Sequence, residues 1–303
     1  MVFFGMRGAF SLSSLETLLA AGVEVEAVVL PAASTAGAAL PRRVERPAAG
    51  GSTLPLLNPY LQPNLLHLAW ARQIPVWEVG SGSDPATLSL LAGLRPEVIG
   101  VACFPYIFPK PLLQLPKYGC LNLHPSLLPA YRGPAPLFWL ARQGERQAGV
   151  TLHFLDEGID SGDIVGQTAL DWPEGVSGSE LERRCAVAGA DLLAAAWQQL
   201  ERGPLPRRVQ PGLGSSYFPW PSARDFEIPV DWPARRAFNF VRGAENWPLL
   251  VKVAEKRFVI RVAIDYDPDQ KLDQPYLFED DELLIQFRPG VLRLSSNLVL
   301  QKM

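Results

Sequence analysis

Between residues 2 and 170, short apolar runs alternate with stretches whose apolar positions recur at helical spacing. Residues 2–4 read as a strand. Residues 13–21 read as a helix, with Ser13 and Glu16 at capping-box spacing and Gly22 where a helix-ending glycine belongs. Residues 23–30 (VEVEAVVL) predict a second strand. Residues 31–52, rich in Ala, Gly, Pro and Arg and without periodicity, predict a long loop. A helix over 63–72, a strand over 76–79, a helix over 84–94 and a buried strand over 98–104 follow. Next come a strand at 119–124, a helix at 134–143, and strands at 150–155 and 164–170 flanking a loop at 156–163. A long helix over 179–201, with Ser177 and Glu180 spaced as a second capping box, closes the series. Strands alternating with helices predict an α/β fold built on a parallel, doubly wound sheet.

The pattern changes after that helix. RGPLPRRVQPGLGSSYFPWPS is dense in Pro and Gly and reads as a linker. From 223 onward, one helix (233–242) accompanies alternating segments, LLVKVAEKRFVIRVAI, ELLIQF and VLRLSSNLVLQ, which predict a small β-rich domain. The expected organisation is a domain at 1–203, a linker at 204–222 and a second domain at 223–303.

Composition narrows the functional classes. The 303 residues are 48% hydrophobic and 19% charged, the makeup of an ordered chain with room for two cores. A net charge of −3 gives no general attraction for nucleic acid. Cys103, Cys120 and Cys185 lack CxxC spacing and read as small buried apolar residues in a reducing compartment, neither a disulfide framework nor a zinc site. MVFFGMRGAF is not a secretory leader, and no apolar window reaches the roughly 18 residues of a membrane span. A cytoplasmic protein with no membrane partner is the expectation.

The chemistry concentrates in CLNLHPSLLPAYRG and the downstream GVTLHFLDEGIDSGD. Asn122 and His124 lie two positions apart on one strand and so share a face. Pro125 ends the strand, leaving His124 at its carboxyl edge, where open α/β sheets bind ligands. A carboxylate near such an imidazole fixes its tautomer and favours its charged form. Imidazolium and amide together can stabilise an oxyanion, while the carboxylate or a water takes a proton from an attacking amine. Asp160 is the candidate carboxylate, with Asp156, Glu157 and Asp163 as competitors. His67, on a helix, reads as structural or surface, and His153, mid-strand, as a packed or half-exposed histidine. Ser126 is not in a GxSxG elbow, which disfavours a serine nucleophile. GxGxxG and GxxxxGK[ST] are missing, which disfavours NAD and ATP. The DxxxDxxD spacing fits no EF-hand, and no metal is expected.

CLNLHPSLLPAYRGPAPLFW followed by GVTLHFLDEGIDSGDIV resembles the signature of 10-formyltetrahydrofolate-dependent formyltransferases, in particular those of the methionyl-tRNA formyltransferase type. The resemblance covers the chain to about residue 202. It implies a Rossmann-like catalytic domain with a mainly parallel sheet, and a catalytic set of Asn122, His124 and Asp160. It also implies that 10-formyltetrahydrofolate, the co-substrate, lies against Ser126, Leu127, Leu128 and Pro129. Phe104, Tyr106 and Ile107 (in FPYIFP) and the loop residues Asp156 and Gly158 would border the pterin. SARDFEIPVDWPARRAFNFVRGAENWPLLV is more faintly similar to the start of the family's small OB-like C-terminal domain, a barrel class that binds oligonucleotides. The implied acceptor is methionyl initiator tRNA, with Arg42 and Arg43 as phosphate contacts. Phe138 and Trp139 in PLFWL resemble sugar-nucleotide formyltransferases instead and open an amino-sugar nucleotide as the other acceptor, the other reading of that aromatic pair being core packing. A non-catalytic relative that binds folate or RNA is the rival from another class. The intact Asn122, His124 and Asp160 argue against it.

Overall fold

The computed structural model describes residues 1–32, 39–46, 64–295 and 300–302. Its main sheet has eight strands: β1 (Val2–Gly5), β2 (Ala27–Pro31), β3 (Arg42–Arg43), β4 (Val76–Val79), β5 (Ile99–Ala102), β6 (Cys120–His124), β7 (Gln147–Phe154) and β8 (Ile164–Asp171). They are ordered β3-β4-β2-β1-β5-β6-β7-β8. The strands from β4 to β6 pair in parallel, and β3 and β7 join the two sides antiparallel. Both faces of the parallel strands are apolar, as a sheet covered on two sides requires. Val2, Phe4, Val29, Ile99 and Val101 pack on one face with Leu91, Phe108 and Leu112. At Gly100 a Cβ would come within 3.0 Å of the Leu193 side chain, so the long helix approaches the sheet closely there.

The helices are α1 (Ala9–Ala20), α2 (Leu65–Ala71), α3 (Pro85–Leu94), α4 (Lys110–Leu113), α5 (Pro136–Gln143), α6 (Gly178–Leu200) and α7 (Ala234–Gly243). Helix α3 is capped as its sequence suggests, the Asp84 carboxylate accepting from Thr87 N at 2.9 Å. Ser177 Oγ likewise accepts from Glu180 N at 3.2 Å ahead of α6. Helix α1 differs from expectation: it starts at Ala9 behind Gly8, not at a Ser13 cap. The serines of that segment serve its buried face instead. Ser11 Oγ donates to Ala102 O at 2.7 Å and accepts from Met6 N at 2.9 Å, tying together the ends of β1 and β5. Gly22, at φ +79°, ends the helix as expected. The predicted loop at 31–52 contains the edge strand β3, whose two exposed arginines give no apolar signal. Residues 33–38 and 47–52 of it lie outside the described residues.

The remaining strands are β9 (Glu227–Ile228), β10 (Leu249–Val253), β11 (Lys256–Ile260), β12 (Ala263–Asp267), β13 (Tyr276–Glu279), β14 (Glu282–Gln286), β15 (Val291–Ser295) and β16 (Leu300–Lys302). They form two four-stranded sheets, β16-β11-β10-β9 and β12-β15-β14-β13, the β-rich C-terminal architecture expected of an OB-like domain. Spatially the chain divides into two compact units. One comprises 1–130, 149–168 and 183–215, the other 131–148, 169–182 and 216–303. The boundaries expected at 203 and 223 follow the chain, whereas these units follow contacts. Among the described residues, no helix is long and apolar enough to cross a membrane.

Candidate active site

Strand order reverses between β1 and β5, and ligands of open α/β sheets bind in the crevice beyond the carboxyl ends at such a point. β6 lies beside β5 and delivers His124 to that edge. β7 runs antiparallel to β6 in a register that pairs Asn122 with His153 and His124 with Thr151. Directly opposed residues share a face, so these four side chains project together. His124 and His153 are buried, and Asn122 is half-buried.

Asp160 completes the group. Its Oδ1 lies 3.5 Å from His124 Nδ1 and 3.7 Å from His153 Nε2. One carboxylate oxygen therefore faces two imidazoles, whose centroids are 6.4 Å apart at an interplanar angle of 81°. Asn122 Nδ2 lies 3.1 Å from His153 Nε2, and His153 Nδ1 lies 2.8 Å from Phe154 O. Burial pushes the His153 pKa well below its ordinary value, Asp160 opposing and the neighbouring His124 reinforcing the shift. His153 is thus neutral near pH 7.

The 156–163 loop is built to aim Asp160. Asp160 sits at φ +51°, a left-handed conformation that a short polar residue tolerates. Asp156 Oδ1 accepts from Gly158 N at 3.1 Å and Ser161 Oγ at 2.9 Å, closing the turn. A Cβ on Gly162 would fall 2.0 Å from Phe154 O, so only glycine allows that approach. Gln210 Nε2 donates to Asp160 O and Gly162 O, each at 2.8 Å, and clamps the backbone from outside. Of the competing acids, Asp156 is engaged in this turn, Asp163 lies 3.7 Å from Arg207, and Glu157 is exposed.

Past His124 the chain turns sharply and is strapped to β7. Thr151 Oγ1 donates to Ser126 O at 2.6 Å and accepts from Leu128 N and Gln167 Nε2, each at 3.0 Å. Gln167 Nε2 also donates to Leu128 O at 2.8 Å, and Arg208 holds Gln167 Oε1 at 2.6 Å. The Ser126 side chain, expected against the folate, is fully buried and donates to Ala130 O at 2.7 Å, so its hydroxyl belongs to the turn. Leu128 is buried, while Leu127 and Pro129 are partly exposed.

Beyond the end of β5, Phe104 packs edge-on against Phe4 and Phe108, with Tyr106 against its own edge. Tyr106 and Ile107 are exposed, as are Asp156 and Gly158. Arg42 is not a loose loop cation. Its Nε donates to Glu78 Oε2 at 2.7 Å while Arg7 takes Oε1 at 2.7 Å, so two guanidiniums neutralise a carboxylate that is 1% exposed. Arg43 pairs with Glu45 at 3.1 Å. Phe138 and Trp139, expected at the acceptor, are buried packing residues of the second unit. Phe138 meets Phe226, Phe240 and Trp247, and Trp139 stacks on Phe218 while its indole N–H donates to Pro219 O at 2.9 Å. Their helix α5 is short and starts at a proline, so in sequence nothing separates an aromatic core pair from an exposed one. His153 is the residue that sequence reasoning passed over. The signal was its place in VTLHFL, which becomes decisive only with the β6–β7 register. Among the described residues, no group of three or more His, Cys, Asp or Glu side chains is arranged to hold a metal ion.

The formyl transferase family matches residues 35–196, more than half of the chain. This chain belongs to that family. The methionyl-tRNA formyltransferase of Pelotomaculum thermopropionicum is 36% identical to this formyl transferase over 79% of the chain and 70% of the relative. Among solved structures, HypX from Aquifex aeolicus superposes with a TM-score of 0.64 at 18% identity, covering 97% of this chain and 43% of HypX. The N-formyltransferase of Helicobacter canadensis, solved in complex with folinic acid and dTDP-3-aminofucose, gives 0.63 at 18% identity over 97% and 99% of the two chains. At these identities the structural likenesses speak for the fold. The mixed α/β domain followed by a β-rich region is the architecture expected of this family.

Proposed function

We propose that this formyl transferase moves the formyl group of 10-formyltetrahydrofolate to a primary amine, with methionyl initiator tRNA as the acceptor. The observation that carries the reading is the meeting of Asn122, His124 and Asp160 at the carboxyl end of β6, with one Asp160 oxygen 3.5 Å from His124 Nδ1. The amine lone pair attacks the formyl carbon, a C–N bond forms, and the carbonyl π pair moves onto oxygen. Asn122 Nδ2–H and His124 Nε2–H donate to that oxyanion, and Asp160 holds the His124 ring through Nδ1. The amine proton leaves through Asp160 or a water. The oxyanion then collapses, the bond to N10 of the folate breaks, and N10 takes a proton. Ser126 to Pro129 supports the donor through its backbone and its leucines, and Tyr106, Ile107, Asp156 and Gly158 border the pterin. Arg42, braced by Glu78, and Arg43 meet acceptor phosphate. The curated relative's name favours tRNA over the competing acceptor, an amino-sugar nucleotide.

The test is incubation of the protein with 10-formyltetrahydrofolate and each amine, following tetrahydrofolate release. Release with methionyl-tRNA and not with amino-sugar nucleotides supports the reading. Release with sugar nucleotides alone moves the acceptor, and release with neither overturns it.

A further inference from the structure

We infer that His153 is a positioning residue: through its Nε2 it fixes which way the Asn122 amide points, so that an N–H meets the reacting carbonyl. The inference rests on the formyl-transfer reading for its consequence, and on three atoms for its geometry.

The first is Phe154 O. A carbonyl only accepts, so the His153 nitrogen 2.8 Å from it carries the proton, and that nitrogen is Nδ1. The second is Nε2. The ring is 0% exposed, and burial keeps it neutral. A neutral ring protonated on Nδ1 presents a lone pair at Nε2. The third is Asn122 Nδ2, 3.1 Å from that lone pair. Only the amide's NH₂ can face it, because the flipped amide would set Oδ1 against Nε2, lone pair to lone pair. One amide hydrogen is therefore spent on His153. The other hydrogen and Oδ1 take fixed directions.

The orientation matters because the terminal torsion of Asn is broad and nearly two-fold, so an isolated amide would sample both faces. An amide offering N–H stabilises a developing oxyanion, while one offering Oδ1 repels it. The β6–β7 register makes the pairing intrinsic to the fold, since Asn122 and His153 are direct cross-strand partners. Phe154 O supplies the tautomer lock from the next residue along the same strand. Asp160 Oδ1, 3.7 Å from Nε2, is a carboxylate oxygen with no proton to give that lone pair, which is left to the Asn122 amide.

The experiment compares His153→Leu, His153→Gln, Asn122→Ala and the double variant His153→Leu/Asn122→Ala. His153→Leu is expected to lower kcat roughly 10- to 100-fold, with KM for the folate donor within about twofold. His153→Gln, whose Oε1 can accept from Asn122, recovers much of that loss. On top of Asn122→Ala, His153→Leu costs nothing further, because there is no amide left to orient. Losses that multiply, or a raised KM at unchanged kcat, would overturn the inference. NMR of the ¹⁵N-labelled wild-type protein reads the same geometry without turnover. It should show a proton on His153 Nδ1, a bare Nε2 and a slowly exchanging Asn122 side-chain hydrogen. A proton on Nε2 refutes the orientation even if every variant folds. A wild-type protein that moves no formyl group to any amine sinks the formyl-transfer reading instead, and the NMR result still decides where the amide points.

Discussion

Thr151→Val removes one oxygen and almost no volume, and the structure says what that oxygen does. Thr151 is fully buried and its Oγ1 makes three bonds: to Ser126 O (2.6 Å), from Leu128 N (3.0 Å) and from Gln167 Nε2 (3.0 Å). Gln167 keeps Leu128 O as a partner in the variant. The Ser126 carbonyl and the Leu128 amide lose theirs. Each buried group left without a partner costs about 1–3 kcal/mol. The added methyl returns about 0.8 kcal/mol through apolar burial. With two such groups, the net expectation is a loss of about 1–5 kcal/mol, or roughly 2–20 °C in Tm for a domain of this size. Thermal and urea unfolding of the variant measure it. Thr151→Ser, which keeps the hydroxyl and gives up one methyl, should cost only about 1 kcal/mol. Because the strapped turn leaves directly from His124, Thr151→Val should also lower kcat/KM, while Thr151→Ser should not. A Thr151→Val protein within about 0.5 kcal/mol of wild type would refute the reasoning, since water or a shifted turn would then be satisfying both groups.

Other outcomes follow from the same geometry. Asp160→Asn should lower kcat roughly 100- to 10,000-fold with little change in Tm, since proton handling and the ring's orientation depend on the carboxylate; circular dichroism and steady-state kinetics check both halves. Gly162→Ala should destabilise the 156–163 loop, because the new methyl would meet Phe154 O at 2.0 Å; faster hydrogen exchange at the Gly158 and Phe154 amides, bonded to Asp156 Oδ1 and Asp163 O, is the readout. Burial raises the pKa of the Cys120 thiol to about 12 and Cys185 is also buried, whereas Cys103, expected to be buried, is exposed, so a maleimide should label one thiol in the native protein and three after denaturation. Because His153 is held neutral in the fold and protonates freely once unfolded, the unfolded chain binds the extra proton as pH falls below 6.5. Stability should therefore fall with pH there, and His153→Leu should flatten that part of the profile.

Much of the architecture was legible in the sequence because the parallel strands are buried on both faces and read as apolar runs. VWEV at 76–79 is the strand expected, and IGVA sits inside the strand expected at 98–104. The site was legible where local rules coincide. Asn122 and His124 alternate on one strand, Pro125 ends it, and two glycines mark the loop that aims Asp160. Where the sequence misled, tertiary context had overridden a local signal. Ser13 and Glu16 have capping spacing, yet the helix already begins at Ala9, because Ser11 and Ser14 are satisfied on its buried face by carbonyls of other segments. Arg42 reads as a solvated loop cation until Glu78, 36 residues away, is seen beneath it. His153 reads as a packed strand residue until the antiparallel register sets it opposite Asn122.

The central claim is that Asn122, His124 and Asp160 catalyse direct transfer of a formyl group from a reduced folate to an amine. It is tested most directly by rapid-quench single turnover with 10-formyltetrahydrofolate labelled at the formyl carbon. Label should pass to the amine of methionyl-tRNA in the wild-type protein and slow by orders of magnitude in His124→Ala and Asp160→Asn. Label that never leaves the folate in the wild type, or that leaves equally fast in both variants, would contradict it.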